Sequence, residues 1–343
     1  MRLLAGVLFA AALAAPAMGE EDPWSAGASW EVERQELTFE HDDIRFSGTL
    51  HVPSGVEEAP AVVVTHGAGP GEENTPLYRQ IADLFPAIGF AVVTYDRRGS
   101  GDSGGERTGA TYKDLARDAI AAKEAAAESP AVDGDRIGLW GLSQGGWIVM
   151  EAAAMSDPAF AISVAAPLTT PGRQMQELAY NLVLIEGYGE AAAERAAETR
   201  RTMDAYFRGE IDLESARARL GEVEGEDWYE HTHLPPAEEL PEDVEDSTWI
   251  LEMDYDPIEA FKAVEAPFLY ILAGEDYVIP VKESLDILAD LPSADNRKEV
   301  VIPDADHAMA VSEDHQMDAD PTSDANAYFL VMGHWLGSLG LTP

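Results

Sequence analysis

Residues 136–150 read RIGLWGLSQGGWIVM, an apolar strand-like run that passes directly into a helix-like one starting at Gln144. Glycines stand at positions 141 and 145, on either side of Ser143. A serine on a sharp strand-to-helix turn is held in a strained conformation, and a side chain at either flank would collide with neighbouring backbone. The spacing Gly141-Leu142-Ser143-Gln144-Gly145 therefore predicts a turn that pushes Ser143 Oγ out at the carboxyl end of a strand. The backbone N–H of Gln144, in the first turn of the following helix, points at the same place. An exposed hydroxyl beside a preorganised N–H is what a nucleophile and half of an oxyanion hole require. The competing reading is a glycine-rich turn with an inert serine.

Working outward, residues 59–65 form a continuous β-branched run, as in a strand buried on both faces. The hydrophobic pattern then alternates: a helix over 76–89, a strand over 90–95, a helix over 112–128, the strand at 136–140, a helix from Gln144 to Ala154, and a strand over 160–165. After a break at residues 171–257 the rhythm returns with a strand at 267–273, a helix at 281–291, a strand at 299–302 and a last helix over 326–336. Strands separated by amphipathic helices give an α/β fold whose mostly parallel sheet is covered on both faces. Residues 36–53 alternate apolar and polar side chains around His41-Asp42-Asp43, which predicts a β-hairpin at the start of the sheet. Residues 20–35 read as an N-terminal linker, 36–170 and 258–343 as one core, and 171–257 as a helical insertion between core strands.

A nucleophilic serine needs a base, and the base needs an orienting acid. Of the eight histidines, His307 alone follows a strand and a turn on a loop leaving a strand's end. Asp276 follows the strand FLYILAG in the same way. Glu275 competes for the role of acid, and Asp304 and Asp306 are local alternatives that adjacent solvent would occupy. His66-Gly67-Ala68-Gly69 comes directly after the buried strand AVVVT, and its glycines let backbone N–H groups face the serine. Ala68 is the expected second oxyanion donor, with Gly67 next, while His66 is expected to brace the loop. Asp96 to Ser103 lacks the G-x-x-x-x-G-K-[ST] of a phosphate loop, so its glycines read as a tight turn. The acidic stretch 304–324 lacks the mid-loop glycine of a calcium hand. Trp147 reads as core packing, and His231-x-His233 is too sparse for a metal site.

With HGAG, YDRRGSGDSGG, GLSQGG, GEDYVIP and DADH in this order, the chain resembles an α/β-hydrolase from about Leu37 to Leu339. H-G-x-G-P, D-x-R-G-x-G-x-S and G-x-S-Q-G-G-W are similar to the dienelactone-hydrolase-like and serine-aminopeptidase-like branch, which includes many carboxylesterases. The resemblance implies a mostly parallel eight-stranded sheet flanked by helices, with residues 171–257 as a helical cap. It implies Ser143 as nucleophile, Asp276 as acid and His307 as base, in the chain order of that fold, with the N–H groups of Ala68 and Gln144 as the oxyanion hole. Asp276 lies two positions after Gly274 where many relatives have three, so the choice of Asp276 over Glu275 is aligned on Ile279-Pro280. No cofactor is implied. The substrate expected is a small-molecule ester; a short peptide, an amide or a thioester on the same machinery is the alternative, and a non-catalytic binding protein is a further one.

Composition narrows the setting. Lys plus Arg number 22 against 64 Asp plus Glu, a formal net charge of −42, which repels nucleic acid and anionic membranes. Acidic residues spread along the whole chain predict adaptation to high salt, where screening over a few Å removes self-repulsion. Zero cysteines exclude disulfides, thiolate metal sites and cysteine nucleophiles. Residues 1–19, MRLLAGVLFAAALAAPAMG, combine an early Arg, a short apolar run and small residues at Ala17 and Gly19, the pattern of a secretory signal peptide cleaved near Gly19. The apolar run is shorter than the ~20 residues a membrane span needs. The mature chain is therefore expected to be secreted or periplasmic, without membrane insertion.

Overall fold

The computed structural model describes residues 31–245, 247–310 and 327–342; the leader assigned to residues 1–19 lies outside them. Eight strands form one sheet: β1 (Val32–His41), β2 (Ile44–Pro53), β3 (Ala59–Thr65), β4 (Ala91–Tyr95), β5 (Val132–Leu142), β6 (Ala161–Val164), β7 (Phe268–Ala273) and β8 (Arg297–Ile302). Their spatial order is β1-β2-β4-β3-β5-β6-β7-β8. β1 and β2 pair antiparallel with each other and β2 antiparallel with β4, whereas every pairing from β4 across to β8 is parallel.

The period of two in a strand explains the two-sided burial. Along β3, Ala61 and Val63 join the apolar core on one face and Val62 and Val64 the core on the other. Along β7, Phe268, Tyr270 and Leu272 alternate in the same way with Leu269, Ile271 and Ala273. Helices α2 (Tyr112–Ala127) and α3 (Gln144–Met155) cover the first face together with α8 (Ile258–Ala263) and α9 (Val281–Asp290). The other face is covered by α1 (Pro76–Leu84) and α10 (Ala327–Ser338). Between β6 and β7 the chain builds α4 (Pro171–Ile185), α5 (Glu190–Phe207), α6 (Leu213–Gly221) and α7 (Thr248–Glu252). Its apolar side chains form a third core of their own, running from Ala179 to Leu240.

Three boundaries differ from the sequence reading, each for a physical reason. The linker assigned to residues 20–35 ends early, because Val32 to Gln35 already pair with Pro53 to Leu50 in β1. This is a sheet edge, and its Glu33, Arg34 and Gln35 hide the strand in a polar-looking sequence. The helix expected over 76–89 stops at Leu84 and continues as a short 3₁₀ turn, Phe85–Ile88. Pro86 has no N–H to donate to an α-helix, and Gly89 at φ 80° ends the turn. β5 starts at Val132, ahead of the expected Arg136, because Ala59 pairs with Val132 across a register shift that the polar residues Asp133 and Asp135 disguise. The β1–β2 hairpin closes through Asp42 and Asp43 at φ 51° and 61°, the left-handed pair that a two-residue hairpin turn demands.

Candidate active site

β3, β5, β7 and β8 run parallel, so their carboxyl ends share one edge of the sheet. Ala68 follows β3, Ser143 and Gln144 follow β5, Asp276 follows β7 and His307 follows β8. The topology thus brings these five residues to the same edge.

Ser143 sits at φ 57° and ψ −125°, a conformation that non-glycine residues adopt only when their surroundings force it. Here the surroundings do. A Cβ on Gly141 would run into Thr65 Oγ1 and the Gly145 carbonyl, and one on Gly145 would meet Thr65 O at 3.0 Å. Thr65 Oγ1 donates to Gly145 O at 2.8 Å, Ser143 N–H to Val164 O at 2.8 Å, and Gly146 N–H to Ser143 O at 2.8 Å. Gly146, which the sequence reading passed over, is equally constrained: a Cβ there would lie 2.5 Å from Ser163 Oγ and 2.6 Å from Ala166 Cβ. The three glycines let α3 press against β3 and β6, and that packing holds the serine in its strained turn.

Asp276 is the acid that reaches His307. Its Oδ2 lies 2.7 Å from His307 Nδ1, while Oδ1 accepts the N–H groups of Val278 at 2.8 Å and Ile279 at 3.2 Å. The carboxylate side chain is fully buried and the imidazole is 20% exposed. An ionised carboxylate only accepts, so Nδ1 carries the proton and Nε2 is left with its lone pair free to act as a base. Glu275 is exposed and its backbone N–H is tied to Ala305 O at 2.9 Å. Asp306 turns the histidine loop, its Oδ1 accepting from Ala308 and Ala310 N–H at 2.9 and 3.0 Å. Among the described residues Ser143 and His307 share no hydrogen bond, and the contact His307 makes is the one to Asp276.

The loop after β3 is braced from three sides. His66 is buried, its Nε2 donates to Tyr95 O at 2.6 Å, and burial, with Arg97 nearby, pushes its pKa down to about 3. It is a neutral brace, as the sequence reading expected. Gly67 N–H donates to Tyr78 Oη at 2.9 Å, which removes Gly67 as an oxyanion donor. Ala68 is exposed, and its N–H, like that of Gln144, has no partner among the described residues. Arg97 is the residue that sequence reasoning missed: Nη1 donates to Gly67 O at 2.9 Å and Nη2 to Gly69 O at 3.1 Å. With both flanking carbonyls turned toward the guanidinium, the peptide N–H of Ala68 is left facing away from it. The neighbouring turn is structural, as expected: Asp96 accepts Glu73 and Asp102 N–H at 2.8 Å each, and Arg98 grips Asp118 of α2 through two 2.6 Å bonds.

Residues 62–319 match the Alpha/beta hydrolase family. The chain belongs to the alpha/beta hydrolase family. Among curated relatives, this hydrolase is 29% identical over 243 residues to an uncharacterized 31.7 kDa protein of the traX-finO intergenic region of Escherichia coli, covering 68% of this chain and 79% of that one. It is 24% identical over 285 residues to esterase EstD of Thermotoga maritima, covering 80% of this chain and 61% of the esterase. Among solved structures, the alpha/beta hydrolase GrgF of Penicillium sp. sh18 superposes with a TM-score of 0.56 at 18% identity, over 89% of this chain and 98% of GrgF.

Around the elbow the hydrolase is aromatic. Trp147 is buried, with its ring centroid 5.5 Å from Tyr112 and 6.0 Å from Tyr255, and its Nε1 donates to Pro167 O at 2.7 Å. Gln144 Nε2 donates to Tyr112 Oη at 3.4 Å, which ties the side chain to this aromatic cluster. The cap touches the acid loop directly, since Asn181 of α4 donates through Nδ2 to Tyr277 O at 2.9 Å. Among the described residues no cluster of three or more His, Asp or Glu could hold a metal ion, and no helix is long and apolar enough to cross a membrane.

Proposed function

We propose that this hydrolase is an exported serine enzyme that cleaves carboxylic esters of small molecules through an acyl-enzyme. The observation that carries the reading is the 2.7 Å bond from His307 Nδ1 to Asp276 Oδ2, on the sheet edge where Ser143 occupies its strained turn. Ser143 Oγ attacks the acyl carbon while His307 Nε2 takes its proton, and the buried Asp276 carboxylate holds the resulting imidazolium. The N–H groups of Ala68 and Gln144 receive the developing oxyanion. Collapse breaks the ester C–O bond, and the leaving alkoxide takes the proton from His307. Water, deprotonated by the same histidine, then attacks the acyl-enzyme and releases the acid and Ser143. Similarity to an enzyme named as an esterase supports ester over amide cleavage.

Replacing Ser143 with Ala is expected to lower p-nitrophenyl ester turnover by about 10⁴-fold or more. Retention of activity by S143A, or faster turnover of an aminoacyl anilide than of the ester by the wild type, would remove this reading. Export rests on the signal-like residues 1–19. N-terminal sequencing of the protein recovered outside the cytoplasm should begin near Glu20, and a start at Met1 would argue against cleavage.

A further inference from the structure

Ala68, Gly69 and Pro70 are exposed, so the stretch that carries the proposed oxyanion donor is placed by the anchors on either side of it. Tyr78 Oη accepts Gly67 N–H at 2.9 Å and donates to Pro70 O at 3.3 Å. Arg97 holds Gly67 O and Gly69 O through its guanidinium, and its backbone N–H donates to Gly71 O at 2.8 Å. The next anchor is Glu73. Its N–H donates to Asp96 Oδ1 at 2.8 Å, directly beside Arg97. Its half-buried carboxylate reaches back onto the sheet, where Thr49 Oγ1 donates to Oε1 at 3.1 Å and Thr94 Oγ1 to Oε2 at 3.0 Å.

The register of the sheet brings the two threonines together. Thr49 of β2 and Thr94 of β4 stand opposite each other in the antiparallel pairing, so their side chains share one face and their hydroxyls meet one carboxylate. Val92, two residues before Thr94, joins the apolar core beneath α1, which puts the pair on the side where α1 and the loop before it lie. His51, two residues after Thr49, continues the line with Nε2 at 3.0 Å from Thr94 Oγ1. A hydroxyl has one proton, and Thr94 gives it to Glu73, so His51 Nε2–H is the donor and Nδ1 keeps its lone pair. Nδ1 is buried and has no partner among the described residues. The bonds thus run in one direction, from His51 through Thr94, and end on a carboxylate that serves purely as an acceptor only while ionised.

We infer that Glu73 is a positioning residue of the oxyanion hole, whose ionised carboxylate, gripped by Thr49 and Thr94, fixes the loop that presents Ala68. The inference rests on the ester-hydrolase reading above and adds to it a residue that touches no substrate. A proton on Glu73 would turn an acceptor oxygen into a donor facing a donor, and one threonine would have to let go. Burial pushes this carboxyl above its ordinary value; the bonds from Thr49 and Thr94 oppose the shift and the Asp96 charge adds to it. The other charges acting on the cluster are Arg34 of β1 and Arg79 of α1, which help burial to keep His51 neutral. Acid therefore loosens the loop through Glu73, as a separate event from protonation of His307.

The test is p-nitrophenyl acetate turnover by the full-length enzyme, per site titrated with a fluorophosphonate, in wild type, Glu73→Ala, Glu73→Gln and Thr49→Val. kcat is expected to fall about tenfold in Glu73→Ala and about threefold in the other two, with KM changed less than about twofold, as misplacement of one preorganised donor requires. Glu73→Gln and Thr49→Val keep the side-chain shape, so the outcome does not hang on the folding of the truncated variant. The ratio of wild-type to Glu73→Gln kcat should shrink from about threefold at pH 8 toward one at pH 4.5, because only the wild type gains a proton at position 73 and His307 titrates in both. Unchanged kcat in the variants, a loss confined to KM, or a ratio independent of pH overturns the inference and leaves the ester-hydrolase reading standing. Failure of the wild type to cleave any ester takes down both.

Discussion

In the proposed mechanism Arg97 acts on the chemistry through the loop it braces. Its guanidinium holds Gly67 O and Gly69 O, so the peptide plane of Ala68 is fixed before substrate arrives, and preorganisation is the larger part of what an oxyanion donor contributes. R97M should lower kcat on an ester by roughly 10²-fold, the scale of losing one such donor, with KM changed less than about twofold. A boronic acid inhibitor should weaken in parallel with kcat, because it occupies the same tetrahedral geometry; a loss confined to KM would contradict this role. Two buried histidines make a prediction of a different kind. Burial pushes His51 down to about 4 and His66 to about 3, against about 6.5 in an unfolded chain. The unfolded state then binds more protons between those values, so stability falls as pH drops below about 6.5 toward 4, by of order 3 kcal/mol for each group when fully expressed. Urea midpoints measured from pH 7 to pH 4.5 should decline, and H51Q should decline less steeply than wild type. The tight turn at Gly141, Ser143 and Gly145 and the meeting of Asp276 with His307 were legible in the sequence because they depend on local spacing and on following a strand. Arg97 was not, because its role depends on two carbonyls some thirty residues earlier that only the fold brings beside it.

The elements most open to reading were the buried parallel strands, whose apolar runs have no polar competitor. β1 and the start of β5 were not, since an edge strand and a bulged one carry charges where a central strand would not. The insertion was legible as helical from its alanine, glutamate and arginine content, but not the polar centre that ties its helices together. Asp204 of α5 is fully buried and accepts from Arg200 Nε at 3.2 Å, Trp249 Nε1 at 3.0 Å and Gln176 Nε2 at 3.3 Å. Those donors come from α5, α7 and α4, and Arg200 also lies 4.4 Å above the Trp249 ring. Removing the carboxylate would leave a buried guanidinium unpaired, a change that typically costs about 3–5 kcal/mol. D204A is therefore expected to loosen the cap while the sheet keeps its fold. Hydrogen exchange should accelerate in α4, α5 and α7 and stay slow in β3 and β5; uniform acceleration would mean that cap and core unfold as one.

Across the whole molecule the net charge of −42 works against a compact state unless the solvent screens it. The Debye length shrinks from about 10 Å at 0.1 M salt to about 3 Å at 1 M, so self-repulsion fades while buried pairs such as Arg98–Asp118 persist. Tm should rise from dilute buffer to molar NaCl, and a Tm that is highest in dilute buffer would contradict salt adaptation. The same molecule-wide view joins the site to the fold: parallel strands deliver four loops from distant parts of the sequence to one edge, and Ser143 stands on one of them. Its assignment as nucleophile is tested most directly by treating the folded enzyme with a fluorophosphonate and mapping the adduct by mass spectrometry. The account predicts a single modification, on Ser143, abolished in S143A and prevented by prior denaturation. Labelling of another residue, or a native enzyme that hydrolyses esters without being labelled, would contradict it.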